Sequence, residues 1–218
     1  SKSDSISIGQ AGDIVEVKTD EGNTFYVSPG NLTIDGLSIT VDNKNISAIS
    51  IQKADSTAII GSVNTDYVNL NGYKNGVSAN SGSSLTIDSS NEIHIGTIGS
   101  DEDSTLNSIL SSGTSSAPGA TVSVGEHAKY IYLQTESSAS STSEATGIKA
   151  LSKGNVFLGS DNAEEIRISA YSAKETYGLW SVGNTDRTTS LIEVKGKRID
   201  ILSRAKKEAR GLNAEHGG

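Results

Sequence analysis

At 218 residues, 34% hydrophobic and 5% aromatic, the chain is poor in the large apolar side chains that fill an ordinary globular core, and its formal net charge is -8. It contains no cysteine, which excludes a disulfide framework or a thiolate site and fits a protein exported unfolded across a membrane. No apolar run of about 18 residues is present to cross a bilayer as a helix, and no leader of the signal-peptide kind stands before SKSDSISIG, which already begins a strand pattern. The chain reads as an excised piece of a longer one.

From the N-terminus onward, short segments alternate apolar and polar residues, the mark of strands with one buried face. An apolar pair, a polar turn and a second apolar pair recur. Aligned on the first pair, the anchors are Ile8, Ile34, Ile60, Ile87, Val124, Leu158 and Val194, at intervals of 26, 26, 27, 37, 34 and 36 residues. The second pairs are Ile14 or Val15 with Val17, Ile39 with Val41, Val68 with Leu70, Ile93 with Ile95, Ile131 with Leu133, Ile166 with Ile168, and Ile199 with Ile201. A third segment precedes most anchors: Phe25 and Val27, Ile49 and Ile51, Val77 and Ala79, Ile109, Ile148 and Ala150, and Leu179 with Ser181. Gly211 to Ala214 resemble the start of one more copy.

Self-similarity at this period means stacked units, because three strands of about three to five residues bury no core alone. Three strands per turn of chain predict an all-β fold, a right-handed parallel β-helix of about seven to eight coils. With strands about 4.8 Å apart, such a rod is roughly 35 Å long. Propeller blades and antiparallel sandwiches need regular hairpin turns that the sequence lacks. The 23 glycines and 2 prolines fit strands bent sharply at corners. One solenoid therefore spans 1–218, with tighter coils over 1–98 and longer ones over 99–218. The added residues fall in Ile98 to Ala120, Glu136 to Ala145 and Val182 to Ser190, Ser-, Thr-, Gly- and acid-rich stretches that read as surface loops and as candidates for a binding surface.

Charge is uneven along the chain. Eight basic residues (Arg187, Lys195, Lys197, Arg198, Arg204, Lys206, Lys207 and Arg210) face three acidic ones (Glu193, Asp200 and Glu208) in the last quarter, a local balance of +5 against -13 for the remainder. Such an end suits an anionic glycan, nucleic acid or the surface of another cell, whereas a solvated face is the blander reading. Lys195, Lys197, Arg198, Lys206 and Lys207 are therefore candidate binding residues. Trp180 and Tyr177 join them as rings able to stack on sugars, if they do not simply pack at a coil corner.

Catalytic signals are weak. His94, His127 and His216 stand at no metal-ligand spacing, and no HExxH, GxSxG or P-loop pattern occurs. Alternation points His94 outward. Asp101, Glu102 and Asp103 offer oxygen ligands for calcium but lack the EF-hand spacing, so a solvated acidic tip is the simpler reading. The outward residues Asp88, Glu92, Glu126, Glu165, Arg167, Glu193 and Asp200 differ in position from coil to coil and name no cluster. No catalytic residue, metal or cofactor is assigned.

The recurring form ATGIKALSKGNVFLGSDNAEEIRISAYSAKETYGLWSVGN, followed by SLIEVKGKRIDILS, resembles the β-helical passenger domains of type V secretion autotransporters of Gram-negative bacteria. The resemblance covers essentially the whole chain, most clearly from Val77 onward, and lies in strand grammar. It implies a cell-surface segment anchored to the outer membrane by a C-terminal barrel in the full-length protein. It also implies a non-catalytic adhesin acting on a host-cell receptor, a glycan, another bacterium or copies of itself, with no specific nucleic acid. A β-helical polysaccharide lyase or hydrolase and a bare spacer stalk are the alternatives.

Overall fold

A computed structural model describes residues 4–99, 105–114, 116–138, 143–183 and 188–216. Among the described residues, twenty-one strands form three parallel sheets of seven strands each, and every strand pairs with the strand one coil earlier or later. The fold is the right-handed parallel β-helix expected from the repeat. Sheet A holds the anchors: coils one to seven begin with Ser5–Ile8, Asn31–Ile34, Thr57–Ile60, Ser84–Ile87, Thr121–Val124, Asn155–Gly159 and Leu191–Lys195. Sheet B is built from Ile14–Thr19, Ser38–Asn43, Tyr67–Gly72, Glu92–Gly99, Tyr130–Ser137, Glu165–Ser172 and Ile199–Ala205. Sheet C consists of Phe25–Val27, Ser47–Ile51, Asn75–Asn80, Thr105–Ser112, Glu144–Leu151, Glu175–Val182 and Glu208–Glu215. That last strand pairs with Glu175–Val182, so Gly211 to Ala214 repeat the segment that precedes the anchors of the earlier coils.

The core is a set of columns. Ile8, Ile34, Ile60, Ile87, Val124, Leu158 and Val194 occupy one register position through all coils of sheet A, and Val15, Ile39, Val68, Ile93, Ile131, Ile166 and Ile199 occupy another in sheet B. Aliphatic side chains stacked at strand spacing fill a narrow interior, against which the Phe25 ring packs in coil one. At the turn from sheet A to sheet B the residue after the anchor is a left-handed glycine in coils one, three, five and six, whereas Asp35, Asp88 and Lys195 hold that place without a positive φ. Gly61 adopts φ 74° there, where a Cβ would lie 2.2 Å from the Asp88 carbonyl oxygen.

Sheet C bends in mid-strand, so its inward residues do not keep period two. At the bend of coil five, a Cβ on Gly147 would meet Ile168 Cγ2 at 2.4 Å. Coil four carries Ser108 at the bend, and its backbone N–H and hydroxyl both reach Thr135 Oγ1, at 3.0 and 2.8 Å. Thr135 in turn donates to the Thr146 carbonyl at 2.9 Å. A buried polar seam thus joins sheets B and C.

The lengthened coils differ from the loop reading. The extra residues partly extend strands: those of sheet B grow from six residues in coils one to three to eight in coils four to six. Thr105–Ser112, inside the first supposed loop, is a strand of sheet C, and Ile98 and Gly99 are strand residues. In the second stretch, Ser137 and Ser143 are buried and hydrogen-bonded to each other, so the base of that excursion belongs to the core.

Candidate surface on sheet B

The predicted basic residues occupy two corners. Lys195, Lys197 and Arg198 line the turn from sheet A to sheet B in coil seven, and exposed Lys206 and Lys207 form its turn from sheet B to sheet C. Acids one coil earlier answer most of them. Lys195 Nζ lies 2.9 Å from Asp161, Lys197 pairs with Glu164, Arg198 lies 3.7 Å from Glu165, and Lys207 lies 3.9 Å from Glu175. Arg198 also holds Asp200 at 2.8 Å, and Arg210 holds Glu208. Contacts between residues about one repeat apart are invisible to a local charge count, which saw the base without its acid. Arg187, Asp101, Glu102 and Asp103 lie outside the described residues.

Tyr177 and Trp180 lie on the outer face of sheet C, apart from those corners. Their rings stack at 4.3 Å, and Tyr177 is only 5% exposed. Lys149 Nζ sits 3.7 Å over the Trp180 ring, where burial lowers its pKa. Burial, reinforced by the hydrogen bond to Glu175, pushes the Tyr177 phenol up to about 12. This cluster packs the outside of the sheet C bend, leaving Tyr177 little free face for a ligand.

Sheet B assembles what the sequence left scattered. Parallel in-register pairing places Glu16, Thr40, Asn69, His94, Tyr132, Arg167 and Asp200 in one outward column, with Tyr67, Glu92, Tyr130 and Glu165 in the next. The His94 ring lies 5.5 Å from the Tyr67 ring and 4.9 Å from the Tyr132 ring, and the Arg167 guanidinium is 5.9 Å from Tyr132. Rings and a guanidinium therefore run continuously across coils three to six, with His94 outward as expected. Glu92 bonds His94, and Glu165 takes Arg167 at 2.7 Å. Burial, then nearby carboxylates, raises the Tyr67 and Tyr132 phenols. Both stay protonated at neutral pH, able to donate hydrogen bonds and to present ring faces.

The signal for this stripe was present in the sequence. Each member of the His94 column is the middle residue of a second apolar pair, and reading those middle residues coil by coil yields the column. The expected scatter of Glu92, Glu165, Arg167 and Asp200 is thereby corrected, because register brings them onto one face. Asp88 is not outward: it is 8% exposed and bonded to His127. Among the described residues no group of three or more His, Asp or Glu side chains is placed to hold a metal ion. Nor is any helix long and apolar enough to cross a membrane. No protein-family model, curated protein or solved structure matches the chain.

Proposed function

We propose that this chain is a non-catalytic adhesive segment of a bacterial surface protein, the β-helical passenger of a type V autotransporter. It attaches the cell to host cells or neighbouring bacteria through the outer face of sheet B. The full-length protein displays it outside the cell, held by an outer-membrane barrel. The observation that carries this reading is the continuous stripe Tyr67, His94, Tyr132 and Arg167, a rigid line of rings and a guanidinium of the kind that dominates recognition surfaces. The purified chain is expected to bind whole epithelial or bacterial cells saturably. Binding to neither, nor to a panel of matrix proteins and glycans, contradicts the proposal and favours the spacer.

One observation favours the enzymatic alternative. His94, Tyr132, Arg167 and Glu92 share one face, as a polysaccharide lyase requires. Two further facts support binding over turnover. The phenols are shifted away from service as bases, and Glu92 and Glu165 are engaged by His94 and Arg167. Incubation with acidic polysaccharides is expected to release no unsaturated product; its appearance overturns the non-catalytic reading.

A further inference from the structure

Where the short coils meet the long ones, sheet B has a step. In coil four the strand Glu92–Gly99 runs two residues past its partner in coil three, since Thr97 pairs with Gly72 and nothing in that strand answers Ile98 or Gly99. Ile98 consequently stands as a wall, 61% exposed. Gly96 carries no side chain at the position that Gln134, Ser169 and Leu202 fill in later coils, and the Asn71 side chain lies over it, its Oδ1 2.5 Å from where a Cβ would stand. The resulting groove has a volume of about 710 Å³ and is lined by residues of coils one to four. Clefts of about 300–1,000 Å³ are those that take small ligands.

The lining specifies a chemistry. Tyr73 and Ile98 supply apolar faces, while Asn71 and Asp42, joined by a 2.8 Å hydrogen bond, supply an amide and a carboxylate. Lys18 and Lys44 set two ammonium groups against the carboxylates of Asp20 and Asp42, with Lys44 and Asp20 3.2 Å apart. The charges sum to zero, so the groove attracts neither a polyanion nor a polycation. Apolar faces beside closely spaced donors and acceptors match a ring with C–H faces and a hydroxyl edge.

We infer that this groove binds a neutral hexopyranose, the uncharged end of a glycan. The inference rests on the reading of sheet B as the binding face and names a ligand class for its N-terminal part. The probes are methyl glycosides of glucose, galactose, mannose and N-acetylglucosamine, with glucuronate and N-acetylneuraminate as anions, measured by saturation-transfer NMR. At least one neutral glycoside is expected to receive saturation, and Gly96→Gln and Ile98→Glu are each expected to weaken it about tenfold or more. Both variants copy residues that coil five carries in the same register, Gln134 and Glu136; at position 96 the new Cβ lies 2.5 Å from Asn71 Oδ1, so the Asn71 side chain moves to admit it. Circular dichroism checks that they fold.

No saturation of any neutral glycoside overturns the inference, as does a preference for the anions or a signal unchanged in both variants. Cell attachment separates this failure from that of the adhesive reading. If no glycoside binds while Tyr132→Ala still abolishes attachment, only the groove fails. If attachment is also absent, both fail.

Discussion

At the residue scale the fold rests on columns, and the cost of a defect follows from what a column offers as an alternative. Ile168 and Leu158 are at most 1% exposed among aliphatic neighbours. An aspartate there finds neither water nor a counter-charge, so Ile168→Asp is expected to destabilise by about 4 kcal/mol or more, or to prevent folding, measured by denaturant titration. Unfolding like the wild type would refute the inward placement. Thr135 is subtler, because its hydroxyl serves both the Ser108 N–H and the Thr146 carbonyl. Thr135→Val keeps the shape and orphans two buried backbone groups, an expected loss of about 1–3 kcal/mol.

His127 couples the fold to pH. Its Nδ1 lies 2.6 Å from Asp88 Oδ2, and Asp88 also accepts the His127 backbone N–H at 3.0 Å, tying the turn of coil five to that of coil four. The hydrogen bond to Asp88 raises the imidazole pKa above its ordinary 6.5. A raised folded-state pKa means stability that is fully present below the unfolded value and is lost as pH rises through the folded one. The effect is small because the imidazole is 44% exposed. Thermal melts across that window should show the wild type losing a stability advantage over His127→Gln as pH increases; a constant difference would contradict the coupling.

At the element scale, the three sheets were not equally legible. Sheets A and B keep strict alternation with Ile, Val and Leu inward, and the repeat reads directly from them. Sheet C does not: Ser47–Ile51 is buried on both faces, and the bend places inward Leu106 and Ile109 three residues apart. Alternation fails there for a geometric reason, which is why Ile109 alone marks the strand Thr105–Ser112 in the sequence. The candidate surface failed to emerge for another reason. Its members are separated by whole coils, and their kinship lies in register alone; Tyr132 has nothing in its local sequence to distinguish it from any outward residue. The acids facing the basic corner are equally distant in sequence, since Asp161, Glu164 and Glu165 precede their partners by about one repeat.

At the scale of the whole molecule, stability is close to a sum of coils and their nearest-neighbour interfaces, so it need not be uniform along the rod. Ile93, Ile131 and Ile166 are fully buried, whereas Ile199, continuing their column in coil seven, is 40% exposed, and Leu212 is 69% exposed. Amide hydrogen exchange is therefore expected to be slowest in the sheet B strands of coils four to six and markedly faster in Ile199–Ala205 and Glu208–Glu215. Uniform protection along the rod would mean that coil seven is stabilised by something beyond its own contacts.

The same one-dimensional construction makes the outer face of sheet B a rigid ruler, and that face is the central claim. The most direct measurement compares attachment of the purified chain to epithelial and bacterial cells for three proteins: wild type, Tyr132→Ala with Arg167→Glu, and a charge reversal of Lys195, Lys197, Lys206 and Lys207. Attachment is expected to fall about tenfold or more in the sheet B variant, and to change little in the reversed one. Loss of attachment on charge reversal, with the sheet B variant binding as wild type, would contradict the account and move the contact to the basic corners.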